Sequence, residues 1–269
     1  MLLIAPLLFL CMLFAGGRGQ EADRRTDRSR QDSLSRLASG DEEQRIDSLV
    51  RICALLRDDP GSIEPSVIES LGAALQRDSS PVVRALAARA LEVCAGNLGS
   101  HVDEAVAALL AALGKEREMA VRKAIIYALA RYTQPQVTPA LIPLLEDKDS
   151  ELRAAAAYAL AENGATASAQ ALTKALQRRG KDEDAFARCH AARGLGRIGN
   201  RDSIDPLLEA LKQDRSQEVR REAAQALGRI ASRQDAKVIE ALREAMRSND
   251  PYLVSAADSA LASINSRNL

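Results

Sequence analysis

Apolar residues recur along most of the chain at the spacing of amphipathic helices, in pairs of segments joined by short polar turns. In one segment the apolar residues fall at i, i+3, i+4 and i+7, which places them on one helical face: Ile204, Leu207, Leu208 and Leu211. The opposite face of this segment carries charged side chains, namely Asp205, Glu209 and Lys212. This pattern predicts an amphipathic helix whose apolar face packs against a neighbour.

The first segment of each pair, which we call helix A, follows one template. Its first apolar position recurs at spacings of 31 to 38 residues and in most copies precedes an arginine: Val83, Val121, Leu152, Ala187, Val219 and Leu253. A diverged first copy begins near Asp41, with Arg45 in the arginine position. The second segment of each pair is called helix B. One amphipathic hairpin cannot bury its apolar stripe alone, so the repeats must stack. The pattern predicts an all-α stack of about six helical hairpins and a terminal capping helix over residues 41–269.

The residues between the segments are those that begin and end helices. Residues whose side-chain oxygens can cap a helix N-terminus precede most A helices: Ser80, Ser150, Asp184, Ser216 and Asp250. Pro81 and Pro251 follow two of them, at the first helical position. Glycines that suit a left-handed residue at the helix C-terminus follow three A helices: Gly96, Gly164 and Gly199. These caps predict the same helix boundaries as the hydrophobic pattern.

The N-terminal region differs from the repeats. An unbroken apolar run from Leu2 to Ala15 precedes small residues suited to cleavage after Gly17 or Gly19. The run is shorter than the roughly 20 residues of a membrane span. We therefore predict a signal peptide over residues 1–19 and an exported mature chain, periplasmic or extracellular, with no membrane insertion. An uncleaved membrane anchor is the alternative, because no Lys or Arg precedes the run.

Residues 20–40 are dense in charge and serine and contain two leucines. Such a segment buries too little apolar surface to offset the entropy of ordering it. We expect a charged flexible spacer that becomes helical near Leu34 to Leu37. The predicted organisation is thus a signal peptide, a spacer and a repeat region from residue 41 to residue 269.

Composition adds to this picture by exclusion. Lys+Arg and Asp+Glu both number 37, so the chain lacks the basic excess that nucleic-acid binding requires. Aromatic residues make up 3% and tryptophan is absent, so small aliphatic residues must build the core. We expect protein partners and no nucleic acid.

Residues that carry catalytic chemistry are few. The two histidines, His101 and His190, stand apart in the sequence, and neither a phosphate-binding glycine loop nor an HExxH or GxSxG motif occurs. The cysteines of the predicted mature chain, Cys53, Cys94 and Cys189, lie in apolar helical stretches, where free cysteines act as small core residues. We expect no enzymatic activity, no cofactor and no metal.

The template VRxxAAxALGxIG, followed by IxPLLEAL, is clearest at residues 219–230 and 194–199. It resembles the HEAT-repeat family, and more narrowly the short bacterial class that is also found in phycobilin lyases. The resemblance covers residues 41–269 and implies a right-handed α-α superhelix, a HEAT/ARM-like solenoid. HEAT-type hydroxylases carry paired His-Glu motifs, which the sequences around His101 and His190 do not match.

The resemblance also implies a structural ladder between repeats, in which helix-A arginines meet aspartates of the turns. The matching arginines are Arg84, Arg122, Arg153, Arg188 and Arg220. The aspartates nearby in the turns are Asp78, Asp149, Asp182, Asp214 and Asp250.

HEAT-like solenoids line their concave side with B helices, which makes the outward B positions a candidate interaction groove. Its residues are small and apolar in the second and third repeats and charged towards the C-terminus: Ala107, Ala111, Pro143, Lys174, Asp205, Glu209, Lys212, Glu240 and Glu244. The alternative is that these faces are simply solvated or tightly packed. The sequence thus predicts a non-catalytic assembly scaffold outside the cytoplasm that binds a polypeptide along the groove. The second hypothesis is an accessory or maturation factor of an enzyme system, similar to the lyase-like HEAT proteins.

Overall fold

The computed structural model describes residues 28–58, 63–96, 98–178 and 185–267, and the regular elements in those ranges are helical. The predicted signal peptide, residues 1–19, lies outside the described residues. No helix within the described ranges is long and apolar enough to cross a membrane. The chain divides into two compact units, residues 1–108 and 109–269.

The first unit begins its described part with α1, the helical residues 28–39. Further helices follow, the last of which runs across the division between the units: α2 (Glu42–Asp58), α3 (Pro65–Arg77), α4 (Pro81–Cys94), a 3-10 turn (Gly99–His101) and α5 (Val102–Leu113). Helix α4 packs against both α2 and α3. This is the predicted arrangement, because α2 and α4 are A helices of consecutive repeats and α3 is a B helix.

The second unit continues the alternation of A and B helices. Its A helices are α6 (Met119–Leu129), α8 (Ser150–Asn163), α10 (Ala185–Ile198), α12 (Gln217–Ile230) and α14 (Pro251–Ser266). Its B segments are α7 (Val137–Leu141) with a 3-10 helix (Ile142–Glu146), α9 (Ala169–Gln177), α11 (Ile204–Gln213) and α13 (Ala236–Ala245). Consecutive A helices pack on each other from α6 to α14, and α11 packs between α9 and α13. The prediction of stacked helical hairpins is confirmed.

Small residues let the A helices approach closely. In α12 one face is fully or nearly buried: Val219, Ala223, Ala224, Leu227 and Ile230. A Cβ atom on Gly228 of this helix would lie only 2.6 Å from Cα and Cβ of Ala260 in α14. The absence of a side chain on Gly228 therefore lets α12 and α14 approach this closely.

Several predicted boundaries differ in the structure. Ser80, Ser216 and Asp250 cap their helices as predicted, but the cap of α8 is Asp149, whose carboxylate accepts two backbone N–H groups. Ser150 is instead the first residue of that helix, because a carboxylate one position earlier already accepts those N–H groups. Asp184 lies outside the described residues.

The glycine predictions hold at two of three positions. Gly164 and Gly199 adopt the left-handed conformation, with φ of 67° and 74°. After α4 this conformation falls on Gly99, with φ of 51°, instead of Gly96. The turn after α4 is therefore longer than the repeat pattern predicts.

Two further differences concern the N-terminal segment and the third B helix. Residues 28–39 of the predicted spacer are helical, and Leu34 and Leu37 are buried, with 8% and 5% of their surfaces exposed. The remainder of the spacer, up to residue 27, lies outside the described residues. The third B segment changes from α to 3-10 geometry at Ile142, since Pro143 lacks a backbone N–H for the α-helical ladder.

Candidate functional site

Asp78 connects two A helices in the first unit. Its carboxylate binds Arg45 of α2, with 2.8 Å between Nε and Oδ2. Its backbone carbonyl accepts a hydrogen bond from Nη1 of Arg84 in α4, at 2.9 Å. The carboxylate also accepts the backbone N–H of Ser80, the N-cap of α4, at 2.9 Å. One aspartate thus fixes the turn to the helix before it and to the helix after it.

The same arrangement occurs twice in the second unit. Asp147 accepts Nη2 of Arg122 through its carboxylate, at 3.2 Å, and Nη1 of Arg153 through its carbonyl, at 2.8 Å. Burial would raise the pKa of Asp147, but the backbone N–H of Asp149 and then the guanidinium of Arg122 lower it below its usual value. Charged hydrogen bonds of this kind hold the carboxylate ionised.

In the turn before α12, Asp214 holds Arg188 by two hydrogen bonds, of 2.7 Å from Nε and 2.9 Å from Nη2. Its carbonyl accepts Nη1 of Arg220, at 2.8 Å. Each side chain of the Arg188–Asp214 pair has only 4% of its surface exposed. The bidentate geometry and burial make this the most enclosed ion pair among those that the structure describes.

Each of the five predicted ladder arginines therefore contacts a turn aspartate, but the set of aspartates differs from the prediction. Asp149 caps α8, and Asp182 lies outside the described residues. Asp250 caps α14 and also meets a helix-A arginine, Arg221, which was not among the predicted arginines. The sequence interpretation missed Asp147. The signal that identifies it is an aspartate two residues before the N-cap, which α8 shares with α4 (Asp78) and α12 (Asp214).

The A helices of the second unit carry a row of aromatic side chains. Tyr127 of α6 meets Tyr158 of α8 edge to face, and Tyr158 meets His190 of α10 in the same way, each pair at 5.4 Å between ring centroids. Burial and the Arg193 guanidinium lower the pKa of His190, which favours the neutral ring. His190 therefore packs within this row of rings.

The cysteines and histidines do not form a reactive cluster. Cys94 is buried and Cys53 and Cys189 are half-buried, all three as free thiols. Burial raises the pKa of Cys94 to about 12 and that of Cys189 to about 11, which disfavours the nucleophilic thiolate. Within the described ranges no group of three or more His, Cys, Asp or Glu side chains is placed to hold a metal.

The predicted groove residues lie on the B segments, and we call them the B-helix surface. They are exposed, apart from the half-buried Glu209. Ala107 belongs to the first unit and the others to the second. Pro143 lies on the 3-10 segment, Lys174 on α9 and the charged residues further along on α11 and α13.

The packing of α11 against α9 and α13 brings the charged part of the B-helix surface together. Each of these two neighbouring helices carries two carboxylates one helical turn apart. They are Asp205 and Glu209 on α11, and Glu240 and Glu244 on α13. Residues four apart share a helical face. This part of the surface can therefore present carboxylates to basic groups of another molecule.

A cleft of about 610 Å³ lies in the first unit and was not predicted from the sequence. Helix α1 lines one side of it with Leu34, Leu37 and Ala38. The B helix α3 lines the other side, and its contribution includes Glu69, Ala73 and Arg77. A cleft of this volume falls within the range of ligand-binding pockets, about 300 to 1,000 Å³. The sequence signal for it is weak, because it depends on two leucines within a highly charged segment.

Comparison with protein families identifies the repeats. The family described as HEAT repeats matches residues 68–161, 106–183 and 169–262. A comparison with curated proteins gives no significant match.

Solved structures with similar folds include proteins of different roles. A chain of the complex of CpcE and CpcF of phycocyanin lyase from Nostoc sp. PCC7120 is 27% identical, with a TM-score of 0.54, over 77% of this chain and 79% of that chain. YibA from E. coli is 20% identical, with a TM-score of 0.58, over 91% and 86% of the two chains. A chain of the Kap95:Nup1 complex is 16% identical, with a TM-score of 0.59, over 87% of this chain and 35% of that chain. The last two similarities concern the fold alone.

Proposed function

Because this chain belongs to the HEAT-repeat family, we propose that it is a non-catalytic scaffold that binds a polypeptide along its B-helix surface. The observation that carries the proposal is the row of side chains on consecutive B segments, from Pro143 to Glu244, which are exposed apart from the half-buried Glu209. Side chains needed for the stacking of repeats are buried elsewhere, in the A helices and in the Arg–Asp ladder. The B-helix surface is therefore available to a partner without disturbing the core.

Charge determines which partner fits the second unit. The carboxylates of α11 and α13 favour a basic segment, while Lys174 and Lys212 provide cations at neighbouring positions. Electrostatic complementarity of this kind contributes mainly to specificity and to the rate of association. We further propose that the interaction takes place outside the cytoplasm, on the basis of the apolar N-terminal run Leu2–Ala15.

Crosslinking mass spectrometry in the native host is the experiment that identifies the partner. The purified protein is then compared with a variant in which Asp205, Glu209 and Glu240 are replaced by lysine. Replacement of Asp202 and Asp258 by lysine is the control, since these exposed carboxylates lie outside the B-helix surface. Loss of partner capture only in the first variant supports the proposal, and capture equal to that of the control contradicts it.

The similarity to the phycocyanin lyase complex favours a second candidate, an accessory or maturation factor of an enzyme system. A pigment bound to the protein purified from its host would support this function. A colourless protein that crosslinks to one polypeptide partner supports the scaffold instead.

A further inference from the structure

The cleft between α1 and α3 has an apolar floor and a rim that carries charges of both signs. Leu34 and Leu37 are buried on the side of α1, and Ala74 is buried on the side of α3. On the rim, Glu69, Ala73 and Arg77 are exposed and follow one another at i, i+4 and i+8 along α3. Eight residues of α-helix span about 12 Å, so the carboxylate and the guanidinium lie on opposite sides of Ala73.

The two rim charges differ from most charges of the first unit. Arg45 and Asp78 also line the cleft but are paired with each other, and elsewhere in the unit Arg51 pairs with Asp47 and Arg36 with Asp32. Within the described residues, neither Glu69 nor Arg77 has a side-chain hydrogen bond or an ion pair. Both can therefore bind groups of a partner without first breaking a contact.

We propose that the cleft binds an amphipathic helix of a partner protein, whose aliphatic side chain enters between α1 and α3. On one side of that aliphatic residue, one helical turn away, the partner helix carries a basic residue that pairs with Glu69. On the other side, also one turn away, it carries an acidic residue that pairs with Arg77. Helices bind grooves through anchors that recur every three or four residues, which matches the spacing of Glu69, Ala73 and Arg77. This inference rests on the proposed scaffold function and extends it to a second surface, in the first unit.

The rim charges also select this occupant over a small amphipathic acid. A fatty acid offers one anionic head group and would leave Glu69 unpaired, whereas a helix offers both charges at the required spacing. The cleft is open to solvent along α3, where Ala73 is exposed. A helix can therefore lie across it and insert a single side chain.

The test uses a fluorescein-labelled, alanine-based peptide of about 18 residues, long enough to be helical, with lysine, leucine and glutamate at i, i+4 and i+8. We expect saturable binding to the purified protein by fluorescence anisotropy. The Ala73→Phe substitution fills the cleft and Arg77→Glu removes the cation, so each weakens binding on the order of tenfold. A peptide whose glutamate is changed to lysine recovers affinity for Arg77→Glu. The Arg131→Glu control, an exposed arginine just after α6, binds as the wild type does.

Three results would overturn the proposal. The first is unchanged affinity in both Ala73→Phe and Arg77→Glu, and the second is equal binding of a peptide whose helix is broken by proline. The third is binding of decanoate, but not of the peptide, in a manner that Ala73→Phe abolishes. Partner capture through Asp205, Glu209 and Glu240 is measured separately, so failure of the cleft leaves the proposed scaffold function intact, and the reverse also holds.

Discussion

Arg188 and Asp214 join the A helix α10 to the turn before α12 through two short hydrogen bonds, and both side chains are almost completely buried. Removal of one partner from a buried ion pair leaves an uncompensated charge in the interior, which costs about 3–5 kcal/mol. We therefore expect Arg188→Met, which keeps most of the apolar stem, to lower the free energy of unfolding by an amount in this range. Urea denaturation followed by circular dichroism measures the change.

The matched control is Arg201→Met, because Arg201 also pairs with an aspartate, Asp235, but has 58% of its side-chain surface exposed. An exposed pair contributes about 0–1 kcal/mol. Equal losses in the two variants would show that the buried pair has no special part in holding the repeats together.

Gly228 marks the closest approach of two A helices. A methyl group at this position would meet the backbone and side chain of Ala260 at 2.6 Å. Gly228 and Ala260 both belong to packed helices, so Gly228→Ala must shift α12 or α14. We expect this shift to lower the free energy of unfolding by about 1–3 kcal/mol. Thermal unfolding measures this loss of stability.

Gly114→Ala is the control, since its added methyl would come no closer than 3.7 Å to any atom outside the adjacent residues. A loss of stability in Gly114→Ala as large as that in Gly228→Ala would refute the packing argument.

Much of the fold could be predicted from the sequence because the repeats share one template. An apolar residue followed by arginine, as at Val83 and Val219, marks most A helices, and the burial of the apolar residue follows from helical periodicity. Side-chain competition within a turn is harder to predict. Asp149 and Ser150 are both good caps, and only the geometry of the turn shows that Asp149 caps α8.

The candidate sites could be predicted only in part. Residues of the B-helix surface follow from register, since one repeat aligns with the next. The cleft depends on α1, whose charged composition conceals the apolar pair Leu34 and Leu37. Burial of these two leucines offsets the entropic cost of ordering this helix, which a local reading of residues 20–40 does not include.

Asp250 provides a test of how acid affects the C-terminal repeat. Hydrogen bonds from the Arg221 guanidinium, together with backbone N–H groups of α14, hold the pKa of Asp250 below 3.8 in the folded chain. A lowered pKa in the folded state stabilises the protein above the unfolded pKa, and this stabilisation is lost as the pH falls through the folded pKa. Asp250→Asn keeps a good N-cap residue but removes the titrating group.

We therefore expect the wild type to lose more stability than Asp250→Asn between about pH 5 and about pH 2. Urea midpoints across this range give the comparison. Asp258→Asn, which alters an exposed carboxylate on the same helix, is expected to follow the wild type. Parallel pH profiles for all three proteins would mean that Asp250 does not contribute to acid sensitivity.

The cysteines should be unreactive in the folded protein. Since burial raises the pKa of Cys94 to about 12 and that of Cys189 to about 11, both remain thiols at about pH 8, and the thiol is a poor nucleophile. We expect iodoacetamide to modify Cys94 and Cys189 slowly in the native protein and rapidly in urea, as followed by peptide mass spectrometry. Gly228→Ala should speed the alkylation of Cys189 only in proportion to the increase that it causes in the fraction of unfolded protein. Rapid alkylation of Cys94 under native conditions would show instead that the end of α4 opens readily, and that its burial between repeats is not maintained in solution.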